Sequence, residues 1–245
     1  MRLQKIKRTL FLWFTPAFLF FTGSVFAQDS LALKQLINAS DKNYGPSDLL
    51  NLGEIYRPER SNAGGNPFFL NEDRLTLIDV KGYVFKNVRA RYNLESDQLI
   101  LLAGLDSGAT VRITAKENWV TSFSFNNYHF VNMAQFLPAL HLSGYFELVY
   151  SGKMSLFIKR KKTFINTYND VTPYGFYSEI KTSFYISDKV NFIAVKNKKA
   201  FLKLYPNNKK EIKKYLKDNK IKFTKSSNEQ LTKLMRFCDE LSETN

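Results

Sequence analysis

The sequence predicts an α+β fold: a predominantly antiparallel β-sheet, rolled into a sandwich or partial barrel, with a short N-terminal helix and two to three C-terminal amphipathic helices. Three observations predict it. From about Ile55 to Val195, short runs of β-branched and aromatic residues follow one another, joined by polar turns without helix-length spacers. The 22 Phe and 13 Tyr favour half-buried sheet surfaces. After Lys198 the apolar spacing changes from two to between three and four.

Taken in order, residues 1–27 read as a cleaved secretory signal. Arg2, Lys5, Lys7 and Arg8 form a positive n-region, Leu10–Phe21 is a 12-residue apolar run, and Val25-x-Ala27 gives a cleavage site before Gln28. The run falls short of the roughly 20 residues that cross a bilayer, and Pro16 interrupts it. No cysteine directly follows it, which excludes a lipid-anchored lipoprotein, and after cleavage of the signal no transmembrane segment is expected. Residues 28–54 are expected to form a helical segment in which Asp29 or Ser30 caps the run SLALKQLINAS, and Gly45-Pro46 ends it.

Residues 55–196 are expected to form the β domain. Strand runs lie at 74–86 (broken by Gly82), 88–94, 97–103, 109–115 and 119–125. In the last of these, alternation sets Trp119, Thr121, Phe123 and Phe125 on one face. The strongest hairpin signal is Gly144–Arg160, with Ser151-Gly152 at its turn and the glycine supplying positive φ. A second hairpin is expected over Thr182–Lys196, turning near Asp188-Lys189. The loop GGNPFFL (64–70) either offers Phe68 or Phe69 to a partner or plugs the end of the sheet.

Residues 197–245 are expected to be a basic helical segment packed on the sheet. A short helix stops at Pro206. A second is capped by Asn207 or Asn208 and buries Ile212, Tyr215 and Leu216, with lysines around the rest. A third begins near Ser226 or Ser227 and buries Leu231, Leu234, Met235, Cys238 and Leu241. Cys238, the one cysteine, allows no internal disulfide and reads as a small core residue.

The formal net charge is +14, and removing the signal leaves +10. Residues 191–245 carry 14 basic and 6 acidic groups, so most of the positive field lies at the C-terminal end. Lys159, Arg160, Lys161 and Lys162, together with Lys209, Lys210, Lys213 and Lys214, are the candidate anion contacts. The lysine pairs at i and i+4 repel one another, which suits a surface met by anions.

Catalytic patterns are not found. His129 and His141 are too few for a zinc set, no G-x-S-x-G elbow or phosphate-binding loop occurs, and Asp79, Glu95, Asp97 and Glu147 have no spacing that selects an acid pair. The chain therefore reads as non-enzymatic, with no cofactor or metal. An outer-membrane barrel is disfavoured by charges on the strands (Arg89, Arg91, Arg112, Glu147) and by the polar C-terminal helix.

The succession GNPFF, RYNLESDQLILL, GYFELVYSGKMSLFIKRKK and KKAFLKLYPNNKKEIKKYLKDNKIKF resembles a family of exported proteins of unknown function from Gram-negative bacteria. The resemblance implies export (periplasmic, outer-membrane-associated or secreted) and no active site. The expected role is an envelope-associated binding protein whose basic helices meet anionic lipid head groups, lipopolysaccharide or another envelope protein, not nucleic acid. A carrier of a small apolar ligand in an aromatic half-barrel, and a hydrolase of envelope polymers, are the alternatives.

Overall fold

A computed structural model describes residues 53–104 and 108–242. The signal over 1–27 and all of the helical segment expected over 28–54 except Gly53 and Glu54 lie outside the described residues; Glu54 is not helical but pairs with Thr114 in a strand. Eleven strands form one open sheet in the order β1-β5-β4-β3-β2-β6-β7-β8-β9-β12-β13. They are β1 (Glu54–Ile55), β2 (Arg74–Val80), β3 (Tyr83–Asn93), β4 (Gln98–Gly104), β5 (Thr110–Thr114), β6 (Val120–Phe125), β7 (Tyr128–Asn132), β8 (Tyr145–Tyr150), β9 (Ser155–Lys161), β12 (Lys181–Ser187) and β13 (Phe192–Ala194). Every pairing is antiparallel. A separate ribbon pairs β10 (Phe164–Ile165) with β11 (Phe176–Tyr177).

The sheet is strongly curled. Tyr92 on β3 and Tyr145 on β8 are four strand spacings apart, about 19 Å on a flat sheet. Their ring centroids lie 6.0 Å apart. Of the two expected architectures, the chain adopts the partial barrel. Its concave side from β2 to β8 is filled by rings: Phe123 stacks on Phe130 at 5.0 Å, and Tyr92 meets both edge to face. Aromatic pairs in such offset and T-shaped contacts gain stability beyond the area they bury.

Local differences from the sequence pattern trace to bulges. Lys81 and Gly82 both sit at positive φ (52° and 86°), the twist that joins β2 tightly to β3. The runs expected as two strands at 83–86 and 88–94 are one 11-residue strand. Asn87 stays within it at φ 59°, where the β2 register shifts between Thr76 and Ile78. In β6 the register shifts between Asp79 and Val80. Val120, rather than Trp119 and Thr121, therefore joins Phe123 and Phe125 in the buried set.

Four helices are described: α1 (Met133–Phe136), α2 (Lys198–Lys203), α3 (Lys209–Asp218) and α4 (Asn228–Leu241). The last three close the concave side over β8, β9 and β12, where Leu156, Ile158, Phe184 and Ile186 meet Phe201, Ile212, Leu216, Leu231 and Leu234. Helix α4 starts in a capping box, Ser227 bonding the Gln230 backbone and Gln230 reaching back. Among the described residues, no helix is long and apolar enough to cross a membrane.

Candidate functional site

Helix α3 presents the lysines. Ile212 and Leu216 are buried and Tyr215 stacks on Phe237 of α4 at 4.1 Å, so one face is fixed against the protein. Lys209, Lys210, Lys213, Lys214 and Lys217 occupy the other face and are all exposed. No ion pair joins any of the five to another described residue. Neighbouring lysines on this face are at most four positions apart, about 6 Å along the axis and inside the roughly 8 Å Debye length at physiological salt. A partner therefore meets a continuous row of positive charge, with Glu211 and Asp218 as the two acids of the same helix.

The strand-end cations behave differently. Lys159 donates to Asp97 Oδ2 at 2.5 Å and to the Tyr145 carbonyl at 2.9 Å. Asp97 also accepts from the Tyr92 hydroxyl and the Tyr145 backbone, so Lys159 helps pin the β3–β4 turn to the start of β8. Burial pushes the Tyr92 hydroxyl well above its usual range, and Asp97 adds to the rise. Lys162 donates to the Asn66 carbonyl at 2.8 Å, and partial burial lowers its pKa.

Arg160 grips Glu147 Oε2 through Nε at 2.7 Å and Nη2 at 2.6 Å. Glu147 is fully buried and also accepts from the Asn228 side chain in the first turn of α4. Arg160 lies 5.5 Å from the Phe69 ring centroid and 5.6 Å from that of Tyr128. This pair forms the seam where the aromatic core gives way to the helical one. Lys161 alone of the four is exposed with no ion-pair partner among the described residues. The eight sequence candidates thus do not make one patch: three hold the barrel together, whereas the α3 four face outward. Lys217, one turn beyond Lys213, belongs with them, and the same i+4 spacing identifies it in the sequence.

The four acids named as hydrolytic candidates are each tied to a structural partner. Asp79 accepts from the Gly82 backbone, Glu95 pairs with Arg60, Asp97 with Lys159, and Glu147 with Arg160. Phe68 is buried and Phe69 packs on Phe130 at 5.3 Å, its backbone N–H donating to the Tyr92 carbonyl. The loop is therefore a plug. His129 sits on β7 with Nδ1 2.9 Å from Ser124 Oγ, and burial lowers its pKa.

The turn of the β8–β9 hairpin departs from expectation. Gly152 is not among the residues at positive φ. Instead, buried Asp239 of α4 accepts from the Lys153 N–H at 2.8 Å, the Met154 N–H at 3.4 Å and the Tyr150 hydroxyl at 3.0 Å. A Cβ at position 152 would collide with the Asp239 carboxylate. Close approach, rather than backbone handedness, requires the glycine there. Neighbouring Cys238 is fully buried, and desolvation pushes its thiol up to about 12. It is a core residue.

Among the described residues, no group of three His, Cys, Asp or Glu side chains could hold a metal ion. No family model, curated protein or solved structure matches the chain.

Proposed function

We infer that the chain is a non-enzymatic, exported binding protein of the cell envelope, and that its contact surface is the lysine face of α3. One observation carries this reading: five exposed lysines on one anchored helix that holds only two acids, Glu211 and Asp218, with none of the five in an ion pair among the described residues. A lysine held near an anionic membrane surface contributes about 1 kcal/mol. Five acting together suffice for measurable retention, whereas a single solvated lysine does not. The helix is anchored by Ile212, Leu216 and Tyr215, so the charges are held in place before contact. The n-region and apolar run of residues 1–27, and the resemblance to exported proteins of Gram-negative bacteria, support the compartment. Rings in contact across the concave face leave little room there for a carried apolar molecule, which favours surface contact over a carrier.

The test is co-sedimentation of the mature chain with vesicles containing phosphatidylglycerol, and with lipopolysaccharide, across a salt series. Reversing Lys209, Lys210, Lys213 and Lys214 to Glu is expected to abolish salt-sensitive retention, with the thermal midpoint little changed. Unchanged retention would overturn this assignment.

A further inference from the structure

A second surface, away from the lysine face, has different chemistry. Residues 54–60, the β3–β4 turn and the β10–β11 ribbon enclose two adjoining hollows of about 350 and 310 Å³ that share Glu59 and Arg60. The first is polar. Arg60 donates to Glu95 at 3.0 Å and lies 3.4 Å from the Glu59 carboxylate, with Tyr177 in the same lining; these neighbours raise the Arg60 pKa, Tyr177 most of all. The second is aromatic. Its wall includes Phe164, with the Arg60 guanidinium 4.4 Å above the ring, and two tyrosines whose rings stand largely in water. Tyr168 is 62% exposed and Tyr174 is 60% exposed. Both lie on the loop that joins β10 to β11 and contribute nothing to either core cluster on the concave side.

We propose that this groove binds a short segment of neutral carbohydrate. Exposed aromatic faces beside planar polar groups match a sugar ring, whose C–H faces are apolar while its hydroxyls project around the rim. Here the tyrosine faces would stack against the sugar, and Arg60, Glu59 and Glu95 would hydrogen-bond its hydroxyls. Other ligand classes fit less well. An anion would meet Glu54, Glu59 and Glu95 against only Arg57 and Arg60 in the first hollow. A quaternary ammonium ion needs an open aromatic cage, but the place over Phe164 is already taken by the Arg60 cation. A purely apolar ligand would strip water from the charged lining without replacing its hydrogen bonds.

The mature chain should be titrated calorimetrically with chitotetraose, cellotetraose, maltotetraose and laminaritetraose, and with choline as the cationic probe. At least one sugar is expected to bind with a dissociation constant of about 1 mM or tighter. Because Tyr168 and Tyr174 are exposed, the double variant Tyr168→Ala/Tyr174→Ala should fold normally and bind that sugar at least about tenfold more weakly. The α3 charge reversal should leave sugar binding unchanged, separating this site from the lysine face. Failure of all four sugars to bind at about 10 mM, equal binding by the tyrosine variant, or binding of choline in their place would each overturn the proposal.

Discussion

From β2 to β7 the concave face of the sheet is closed by its own curl, ring against ring. From β8 to β13 the same face is closed by helices. The side chains explain the difference. Phe85, Tyr92, Phe123, Phe125 and Phe130 are large enough to reach across a curled sheet and touch. Leu156, Ile158 and Ile186 are shorter and Phe184 is the one ring among the buried strand residues beside them, so the surface they make must be covered from outside, and α2, α3 and α4 cover it. The two solutions have different consequences for the exterior. A self-closed half exposes only strands and turns, whereas each covering helix carries an outward face. In α3 that face is lysine, so the more heavily covered half is also the one that presents concentrated charge.

The seam between the halves is where the comparison can be broken most sharply. Replacing Glu147 with Ala leaves the Arg160 guanidinium against the Phe69 and Tyr128 rings without its carboxylate. A loss of about 3–5 kcal/mol is expected in chemical denaturation, read by circular dichroism. One transition shifted as a whole means that the halves fold as a unit; two separated transitions would show that they are independent. The double variant Glu147→Gln/Arg160→Met should recover part of the loss, because no charge is then left buried alone.

Next in size is the tie between α4 and the β8–β9 turn. Asp239→Ala frees two backbone N–H groups and the Tyr150 hydroxyl, and about 2 kcal/mol is expected to be lost. Hydrogen exchange should quicken at Lys153 and Met154 before it does in β6 and β7. Equal protection throughout would mean that the helical half does not depend on this contact.

The smallest expected effect lies on the convex side. Burial holds the His129 pKa below its unfolded value of 6.5. Between that value and the lower folded pKa, the unfolded chain binds the proton first. Stability is therefore fully present above about pH 6.5 and declines as the pH falls through the folded pKa. His129→Gln should flatten that part of the stability–pH curve while leaving the plateau above pH 7 nearly unchanged. A curve identical to that of the parent chain would mean that the imidazole is solvated on β7.

Much of the fold is legible locally. The β8–β9 and β12–β13 hairpins, the stop at Pro206 and the Ser227 cap all follow from residues within a few positions of one another. Bulges are not legible in the same way. At Asn87 and Thr121 the apolar pattern slips because the partner strand dictates the register, which is why Val120 and not Trp119 points inward. The candidate site divides along the same line. The α3 lysines can be assigned from helical period alone, since Ile212 and Leu216 must face the core and the lysines are left outside. The basic run at the end of β9 looks the same in sequence. Its roles depend on Asp97, 62 residues before Lys159, and on Asn228, 81 residues after Glu147.

The sequence by itself determined the longer strand runs, the two C-terminal hairpins of the sheet, the helical basic segment and the burial of Cys238, because periodicity, capping and hydropathy act over one or two turns of chain. Only the tertiary structure decided that the sheet curls into a partial barrel and that Lys159, Arg160 and Lys162 are interior ties. It also brought Arg60, Glu95, Phe164 and Tyr174 to one groove. Those outcomes depend on which distant groups meet when water is excluded, and the energy of a charge is set by its surroundings rather than by its neighbours in sequence.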